Sequence, residues 1–443
     1  MKKVLLIGNG AREHAIGEAL MRSREGCELF VLGGALNPGL SAMTKGYKIG
    51  KTTDPKAVCD FALECKPDFA IIGPEDPIAS GVTDELLKIG VRSVAPIKLL
   101  GQLESSKSFT RDLLEKYGIP GNPRYKVFLN EDGLSEWMQE LGEYVVKSDG
   151  LMGGKGVQLS GEHLKTIDEG ILFAKASIEK FGRVVVEEKF VGQEFSLMSF
   201  CDGKHVVDMP AVQDHKRAFD GDSGPNTGGM GTYSDANHSL PFLKPSDIAD
   251  AHAINLAVAE ALYKETGSYF KGILYGGFIA VKNGVRLIEY NARFGDPEVM
   301  NVLPILKTDF IAVCEAILDG TLDKLNTEFE NKAVVVKYVC PEGYPENPVK
   351  NLKIDTSGVP SEVKLYFASL DEREDGLYLL GSRAVACTGI ANTLEEAEII
   401  AQKGAESVKG PVFFRKDIGT KELIEKRVSM LKEVRESLGT KTF

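Results

Sequence analysis

The stretch VLLIGNGAREH at residues 4–14 joins a four-residue apolar run, Val4–Ile7, to two glycines and a helix-like segment. In that segment alanine and aliphatic residues form adjoining stripes at helical spacing, and Arg12, Glu13 and Glu18 lie outside them. Further apolar runs follow at 29–32, 69–72 and 92–95, separated by helix-like segments. This alternation predicts that the first hundred residues form a parallel β-sheet covered by helices on both faces.

The turn Gly8-Asn9-Gly10 lies where backbone N–H groups at a helix N-terminus can receive an anion. It lacks the third glycine of a dinucleotide-binding fingerprint, because Glu13 occupies that position. No acidic residue ends the second apolar run. The turn therefore predicts a site for a smaller phosphorylated ligand, and a tight strand–helix turn without a ligand is the alternative.

Glu75 directly follows the 69–72 run, in the segment Gly73-Pro74-Glu75. Ligands bind at the carboxyl ends of parallel strands, where a carboxylate can accept hydrogen bonds from sugar hydroxyls. A plain proline-rich turn is the alternative interpretation.

Length and composition limit the classes of function. The 443 residues suggest about three domains. A net charge of −11 argues against nucleic acid as the main partner. The seven cysteines contain no Cys-x-x-Cys, which argues against a zinc knuckle or a disulfide framework. The run Val4–Ile7 is too short for a signal peptide, and no stretch could span a bilayer, so we expect a cytoplasmic protein without a membrane partner.

Beyond residue 105 the pattern changes to helices mixed with antiparallel strands. The strand-like runs 273–281 and 285–290 are joined through Asn283-Gly284, a strong hairpin signal. The glycine-rich segment Asp214–Tyr233 predicts a long loop. After about 330, strand-like runs at 333–339 and 377–380 precede a helical stretch from Leu394. The chain is thus expected to end in a small third α+β domain.

Lys147 ends a predicted strand and is followed by a glycine-rich connection that runs to Gly156. Such a loop can fold over phosphates. It is not a P-loop, because Gly156 follows Lys155 where a serine or threonine would hold magnesium. A hairpin tip without a ligand is the alternative.

The segment Glu289–Glu298 reads EYNARFGDPE. Side chains alternate across a strand, so Glu289, Asn291 and Arg293 share one face if the strand extends that far. A carboxylate and an amide suit magnesium, which completes its shell with phosphate and water. An exposed edge strand with a polar face is the structural alternative.

These motifs, in this order, resemble the phosphoribosylamine–glycine ligase (glycinamide ribonucleotide synthetase) family of the ATP-grasp superfamily, over essentially the whole chain. The matching segments are Gly8–His14, Gly73–Glu75, Ser106–Phe109, Asp149-Gly150 with Gly154–Val157, Gln213–Arg217, Gly224–Gly231, Asn291–Glu298 and Arg415–Gly419. The resemblance implies an N-terminal parallel α/β domain at 1–105, an ATP-grasp domain at 106–328 with a lid subdomain at about 122–192, and a C-terminal α+β domain at 329–443.

The resemblance also implies an activity: ATP-dependent ligation of glycine to 5-phosphoribosylamine, through glycyl phosphate, in de novo purine synthesis. The implied cofactors are ATP and Mg²⁺, with Mn²⁺ as an alternative metal, and a monomer is expected.

Roles implied by the resemblance fall on these positions. For ATP they are Lys107, Lys147, Gly154, Lys155, Gly156, Glu187 and Glu188 at the adenine hinge, and Glu194 near the ribose. For the substrates they are Gly8, Asn9, Gly10, Arg12, Glu75, Asp214, Lys216 and Arg293. The implied catalytic residues are Arg293, Asp214 and Lys155, and the implied metal ligands are Glu289 and Asn291. The preceding strand, Tyr275–Ile279, lacks the further acid that many ATP-grasp enzymes place there.

Three competing functions stay open at this point. One is an ATP-grasp ligase that acts on a different ribonucleotide, against which the Gln213–Arg217 segment and the long glycine-rich loop argue. The others are a nucleotide-sensing module and a dehydrogenase built on the N-terminal sheet, and neither would use the polar face of 289–298.

Overall fold

The computed structural model describes residues 1–152 and 156–437. None of the helices in those two ranges is long and apolar enough to cross a membrane. The seven cysteines all lie within them and are free thiols, six of them buried. This agrees with the prediction that they form no disulfide framework.

The N-terminal region is a parallel sheet flanked by helices. Its elements are β1 (Lys2–Ile7), α1 (Ala11–Met21), β2 (Cys27–Gly33), α2 (Pro38–Met43), β3 (Gly46–Ile49), α3 (Pro55–Cys65), β4 (Phe69–Ile72), α4 (Glu75–Ala79), α5 (Val82–Lys88), β5 (Ser93–Val94), α6 (Lys98–Ser105) and α7 (Lys107–Lys116). The strand order is β3-β2-β1-β4-β5, and every neighbouring pair is parallel. The carboxyl ends of β1 and β4 are adjacent, so the 8–14 turn lies beside Glu75.

One sequence-based expectation about this region is wrong. Arg12 and Glu13 are 9% and 2% exposed, although both were expected outside the apolar stripes of α1. They are buried because Arg12 Nε donates to Glu13 Oε1 (2.7 Å) and Arg12 Nη1 to the carbonyl of Phe294 (3.2 Å), which satisfies both charges. Glu104, near the end of α6, is also buried.

A small antiparallel sheet with two helices follows, in the predicted lid region. Its elements are β6 (Tyr125–Phe128), α8 (Leu134–Leu141), β7 (Tyr144–Ser148), β8 (Val157–Leu159), α9 (Ile167–Phe181) and β9 (Val184–Glu188). The strand order is β6-β9-β7-β8. Alternate residues of β7 and β9 pack against both helices, with Trp137 and Met138 at the centre of that small core.

The next sheet has the order β11-β10-β16-β17 and is antiparallel throughout. The elements of this part of the chain are β10 (Gln193–Cys201), β11 (Val206–Asp208), β12 (Gln213–Asp214), β13 (Arg217–Phe219), β14 (Ser223–Asn226), β15 (Gly231–Ser234), α10 (Pro245–Thr266), β16 (Gly272–Ala280), β17 (Val285–Asn291), α11 (Val299–Val302) and α12 (Phe310–Asp319), with 3₁₀ turns at Leu303–Ile305 and Leu322–Lys324. The predicted hairpin between β16 and β17 is confirmed, and Gly284 in its turn has a φ of +76°.

The prediction of one long loop over Asp214–Tyr233 is wrong. The segment contains the β13–β14 hairpin, and β12 and β15 at its two ends pair with each other. Strand β15 then joins the C-terminal sheet. These strands are only two to four residues long and largely polar, so the sequence pattern did not predict them.

The C-terminal region is α+β, as predicted. Its elements are β18 (Ala333–Pro341), β19 (Lys353–Ile354), β20 (Lys364–Phe367), β21 (Leu370–Arg373), β22 (Gly376–Leu379), β23 (Val385–Ala391), α13 (Leu394–Ser407), β24 (Val412–Phe413) and α14 (Lys421–Glu436). The main sheet runs β12-β15-β18-β23-β20, and β24 pairs with β18. Because β12 and β15 belong to this sheet, it extends beyond the predicted 329–443 domain, and the three domain limits stay a prediction.

Candidate active site

A polar cavity lies against the β10-β16-β17 sheet, where β17 ends. The charged side chains and the tyrosine that line it are Glu194, Asp214, Lys216, Tyr275, Glu289 and Glu298. Four of the six were predicted as site residues. Glu298 belongs to a motif noted in the sequence, but no role was predicted for it or for Tyr275.

Two of these carboxyl groups lie in surroundings that disfavour their charge: Glu298 is 3% exposed and Asp214 is partly buried. Burial raises the pKa of Asp214 well above its ordinary value, and the neighbouring Glu298 raises it further. Burial also raises the pKa of Glu298, although the Tyr275 hydroxyl donates to its Oε1 at 2.8 Å. The cavity thus holds more acidic groups than its own cations neutralise, which favours the binding of a cation.

Glu289 is held as an anion in the same cavity. Burial alone would raise the pKa of Glu289, but Lys216, Lys147 and Lys107 overcome that effect and lower it. Asn291 follows on the same strand face, and its Oδ1 accepts a long hydrogen bond (3.4 Å) from Arg293 Nη2. Strand β17 ends at Asn291, so Arg293 lies beyond the strand rather than on its face.

The cavity contains side chains that could bind a metal ion. Within residues 1–152 and 156–437, no group of three or more His, Cys, Asp or Glu is placed to hold a metal ion. One carboxylate and one amide nevertheless suit Mg²⁺, which usually takes one or two protein groups and completes its shell with phosphates and water. Glu289 and Asn291, beside the surplus acidity of Asp214 and Glu298, fit such an ion.

Arg293 is the centre of a buried charge cluster between the N-terminal sheet and β17. Its Nη2 lies 2.6 Å from Glu104 Oε1, and its Nε donates to Glu75 Oε2 at 3.1 Å. Arg293, with a smaller contribution from Arg12, lowers the pKa of Glu75 to about 2 against the opposing effect of burial. Glu104 also accepts from the N–H of Ala292 (2.8 Å). The sequence did not identify Glu104 as a site residue, because its neighbours in the chain are polar and its partner Arg293 is distant in sequence.

Lys147 lies on β7 and is 3% exposed. Its Nζ lies 2.5 Å from Glu187 Oε1 and donates to the carbonyl of Ile288 at 2.7 Å. Glu187 therefore faces Lys147, whereas Glu188 on the opposite face of β9 accepts from the N–H of Arg124 (2.8 Å). The two adjacent glutamates, predicted together at an adenine hinge, thus serve different contacts in this structure.

Lys107 begins α7, and its Nζ donates to the carbonyl of Gly150 at 2.8 Å. Asp149 accepts from both the backbone N–H (3.1 Å) and the hydroxyl (2.5 Å) of Ser108 in the first turn of α7. The start of the glycine-rich connection is therefore fixed to the helix that carries Lys107. Gly156 resumes the described chain, and the predicted Gly154 and Lys155 lie outside the described residues.

In the predicted anion turn, one backbone donor is already used within the turn. Gly8 has a φ of +117°, and the Gly10 N–H donates to Glu13 Oε2 at 2.6 Å. Asn9 Oδ1 accepts from the N–H of Gly34 (2.8 Å). An anion would therefore depend on the next N–H groups of α1 and on Arg12 rather than on Gly10.

Arg383 brings the C-terminal region to the site, and sequence analysis missed it. Its Nη1 donates to the carbonyls of Gly228 (2.9 Å), Gly229 (3.0 Å) and Asp296 (3.1 Å). Its guanidinium lies 4.4 Å from the ring centre of Tyr338. One C-terminal side chain thus contacts both the Gly224–Gly231 segment and the Asn291–Glu298 segment.

Buried Lys147 on one antiparallel sheet contacts strand β17 of the other, which carries Glu289, and this pairing of two sheets is that of an ATP-grasp protein. Family models of phosphoribosylglycinamide synthetase match the chain as its N domain (residues 2–104), its ATP-grasp (A) domain (105–299) and its C domain (334–421). The chain belongs to the phosphoribosylglycinamide synthetase family. The resemblance and the fold class inferred from the motifs are confirmed.

Individual relatives match along nearly the whole chain. A phosphoribosylamine–glycine ligase of Methanocella arvoryzae is 45% identical over 433 residues, which cover 98% of this chain and 100% of the relative. One of Methanococcus maripaludis is 48% identical over 443 residues, with 98% and 99% coverage. The crystal structure of a phosphoribosylamine–glycine ligase from Thermotoga maritima superposes with a TM-score of 0.79 at 29% identity, covering 94% of this chain and 99% of that one.

Proposed function

We propose that this protein joins glycine to 5-phosphoribosylamine, with ATP becoming ADP and phosphate, as a carbon–nitrogen ligase of purine synthesis. The observation that carries the proposal is the cavity at the end of β17. There, Lys216 lies among carboxylates, and Lys147 and Lys107 help to lower the pKa of Glu289, in a chain that matches a ligase family in all three regions. A dehydrogenase or a sensing module would leave that cavity without a role.

The proposed chemistry has two steps. A carboxylate oxygen of glycine attacks the γ-phosphorus of ATP, which forms glycyl phosphate and releases ADP. The amine of phosphoribosylamine then attacks the glycyl carbonyl, forming the amide bond, losing a proton and expelling phosphate. Such transfers require positioning and charge neutralisation more than covalent help from the protein. Lys107 and Lys147 supply positive charge for the phosphates in this scheme.

Glu289 and Asn291 would hold Mg²⁺ or Mn²⁺, which when bound would neutralise charge on the ATP phosphates. The pKa of Glu289 is already lowered by the surrounding lysines, so the carboxylate needs no proton loss to accept a metal. Lys216 lies 3.9 Å from Glu289 and 3.8 Å from Glu194, and so balances the charge of both side chains.

Arg293 is proposed to orient glycine. Glu75 and Glu104 fix its Nε and Nη2, whereas its Nη1 makes a long contact of 3.5 Å to the carbonyl of Phe294. The Nη1 group could therefore donate to a substrate carboxylate without the loss of a strong hydrogen bond. Asp214, close to Gly229, is proposed to lie at the reacting centre, and Glu75 with the 8–12 turn is proposed to hold the phosphorylated sugar.

A coupled assay of ADP release tests the function. We expect release only when ATP, a divalent metal, glycine and freshly made phosphoribosylamine are all present. Equal release without glycine would contradict the proposal. Release with glycine but with another ribosylamine phosphate in place of phosphoribosylamine would assign the chain a different acceptor.

A further inference from the structure

Arg111, Glu187 and Lys147 form a buried triad beneath the cavity. Arg111 Nε donates to Glu187 Oε2 at 2.7 Å and its Nη2 to Oε1 at 2.9 Å, while Lys147 Nζ approaches the same Oε1 at 2.5 Å. The three side chains are only 3–4% exposed. Arg111 lies in the middle of α7 and was not among the predicted site residues.

The triad joins three elements that surround the cavity. Lys147 on β7 and Glu187 on β9 are diagonal neighbours in the small antiparallel sheet. The carbonyl of Ile288 on β17 accepts from both Lys147 Nζ (2.7 Å) and Arg111 Nη2 (2.6 Å). Ile288 directly precedes Glu289, so one carbonyl links the buried cations to the strand that carries the proposed metal ligands.

The charges of the triad sum to one positive charge. A lone Lys147–Glu187 pair would be neutral and would offer little attraction to a phosphate. The bidentate bond from Arg111 satisfies the carboxylate and restores the surplus charge. Lys147 has three donors, of which Glu187 and Ile288 take two, so the third has no partner among the described residues and is available to a ligand.

The arrangement is not explained by stability alone. A buried ion pair contributes little net stability compared with apolar residues of the same volume. Arg111 also leaves its Nη1 buried without a partner among the described residues, which has a cost in free energy. We propose that Arg111 and Glu187 are positioning residues for ATP, which fix the place and charge of the Lys147 ammonium, and that Glu187 acts through Lys147 rather than on the adenine base.

The inference rests on the proposed use of ATP, and its test measures binding with two probes, ATP and adenosine. Calorimetry on the full chain, with Mg²⁺ but without glycine, gives the dissociation constant of each. We expect Arg111→Met and Glu187→Gln each to weaken ATP binding about 10-fold, the value of one charge-assisted hydrogen bond, and to leave adenosine binding within about 2-fold. Adenosine binding that falls as much as ATP binding would overturn the role given to Glu187.

A double-mutant cycle tests whether Arg111 acts through Lys147. In a Lys147→Met background, Arg111→Met should weaken ATP binding by less than about 2-fold further, because the lysine that it positions is gone. Independent phosphate contacts would instead give losses that multiply, and that result would refute the inference. Arg111→Lys retains the charge without the bidentate fork, and it provides a second variant if Arg111→Met does not fold.

Arg435→Met is the matched control. Arg435 Nη2 donates to both carboxylate oxygens of buried Asp247 (2.8 Å each), between α14 and α10. It should leave ATP binding unchanged even where it lowers the melting temperature. Arg111→Met and Arg435→Met with equal ATP affinity would overturn the inference, whereas a wild-type chain that does not bind ATP would overturn the proposed function itself.

Discussion

The ion pair between Glu75 and Arg293 makes a quantitative prediction for the variant Glu75→Gln. The pair holds the pKa of Glu75 at about 2, against an ordinary value of 4.5. Because pKa and stability are linked, this difference corresponds to about 3 kcal/mol of folding free energy at neutral pH. Glutamine resembles the protonated acid in shape, so the variant should lose most of that amount at pH 7.

The sign of the pH dependence is fixed by the direction of the pKa shift. A carboxyl group whose pKa is lowered on folding contributes its full stability above the unfolded pKa of 4.5 and loses it as the pH falls through about 2. The difference between wild type and Glu75→Gln should therefore be constant from pH 7 to 5 and should shrink steadily below 4.5.

Calorimetric melting temperatures without ligands, at several values of pH between 7 and 3, provide the measurement. Glu362→Gln is the control, because Glu362 makes a similar 2.9 Å pair with Lys403 in full exposure to solvent. Exposed pairs contribute little, so the control should melt as the wild type does. A Glu75→Gln variant that melts with the wild type at pH 7, or a difference that persists unchanged at pH 3, would refute the reasoning.

Three other substitutions test separate parts of the site. Lys147→Met should weaken ATP binding by about 10-fold or more, whereas Lys426→Met on α14 should not change it; equal affinities in a titration would contradict the phosphate role. Glu289→Gln should lower turnover by about 100-fold at a Mg²⁺ concentration that saturates the wild type, with the fold intact, and near-normal turnover would exclude Glu289 as a metal ligand. Arg383→Met frees the carbonyls of Gly228 and Gly229, so limited proteolysis should cut within 221–231 faster than in the wild type; an unchanged cleavage rate would show that other contacts hold the segment.

The sequence predicts the backbone of this protein well where patterns are local. The parallel sheet follows from apolar runs, and the β16–β17 hairpin follows from Asn283-Gly284 between two strand-like runs. Strand β4 was predicted to the residue, since a buried parallel strand is a continuous apolar run. The short strands β12–β15 were not predicted, because they are only two to four residues long and largely polar, and β15 also pairs with the distant strand β18.

Residues of the candidate site were likewise predicted only where the sequence pattern is local. Glu289 and Asn291 could be placed on one strand face because the two-residue period of a strand is local. Glu104, Arg111 and Arg383 could not, because each acquires its role from a partner more than 70 residues away. Arg12 and Glu13 were expected outside the core for the same reason, since their burial depends on each other and on Phe294.

The central claim is that ATP activates the glycine carboxylate as an acyl phosphate. The most direct measurement uses glycine labelled with ¹⁸O in both carboxylate oxygens, with ATP, Mg²⁺ and phosphoribosylamine, and mass spectrometry of the released phosphate. We expect one labelled oxygen in each released phosphate, because the glycine oxygen that attacks the γ-phosphorus stays bonded to phosphorus when phosphate is expelled. Unlabelled phosphate, formed together with amide product at the normal rate, would contradict the claim.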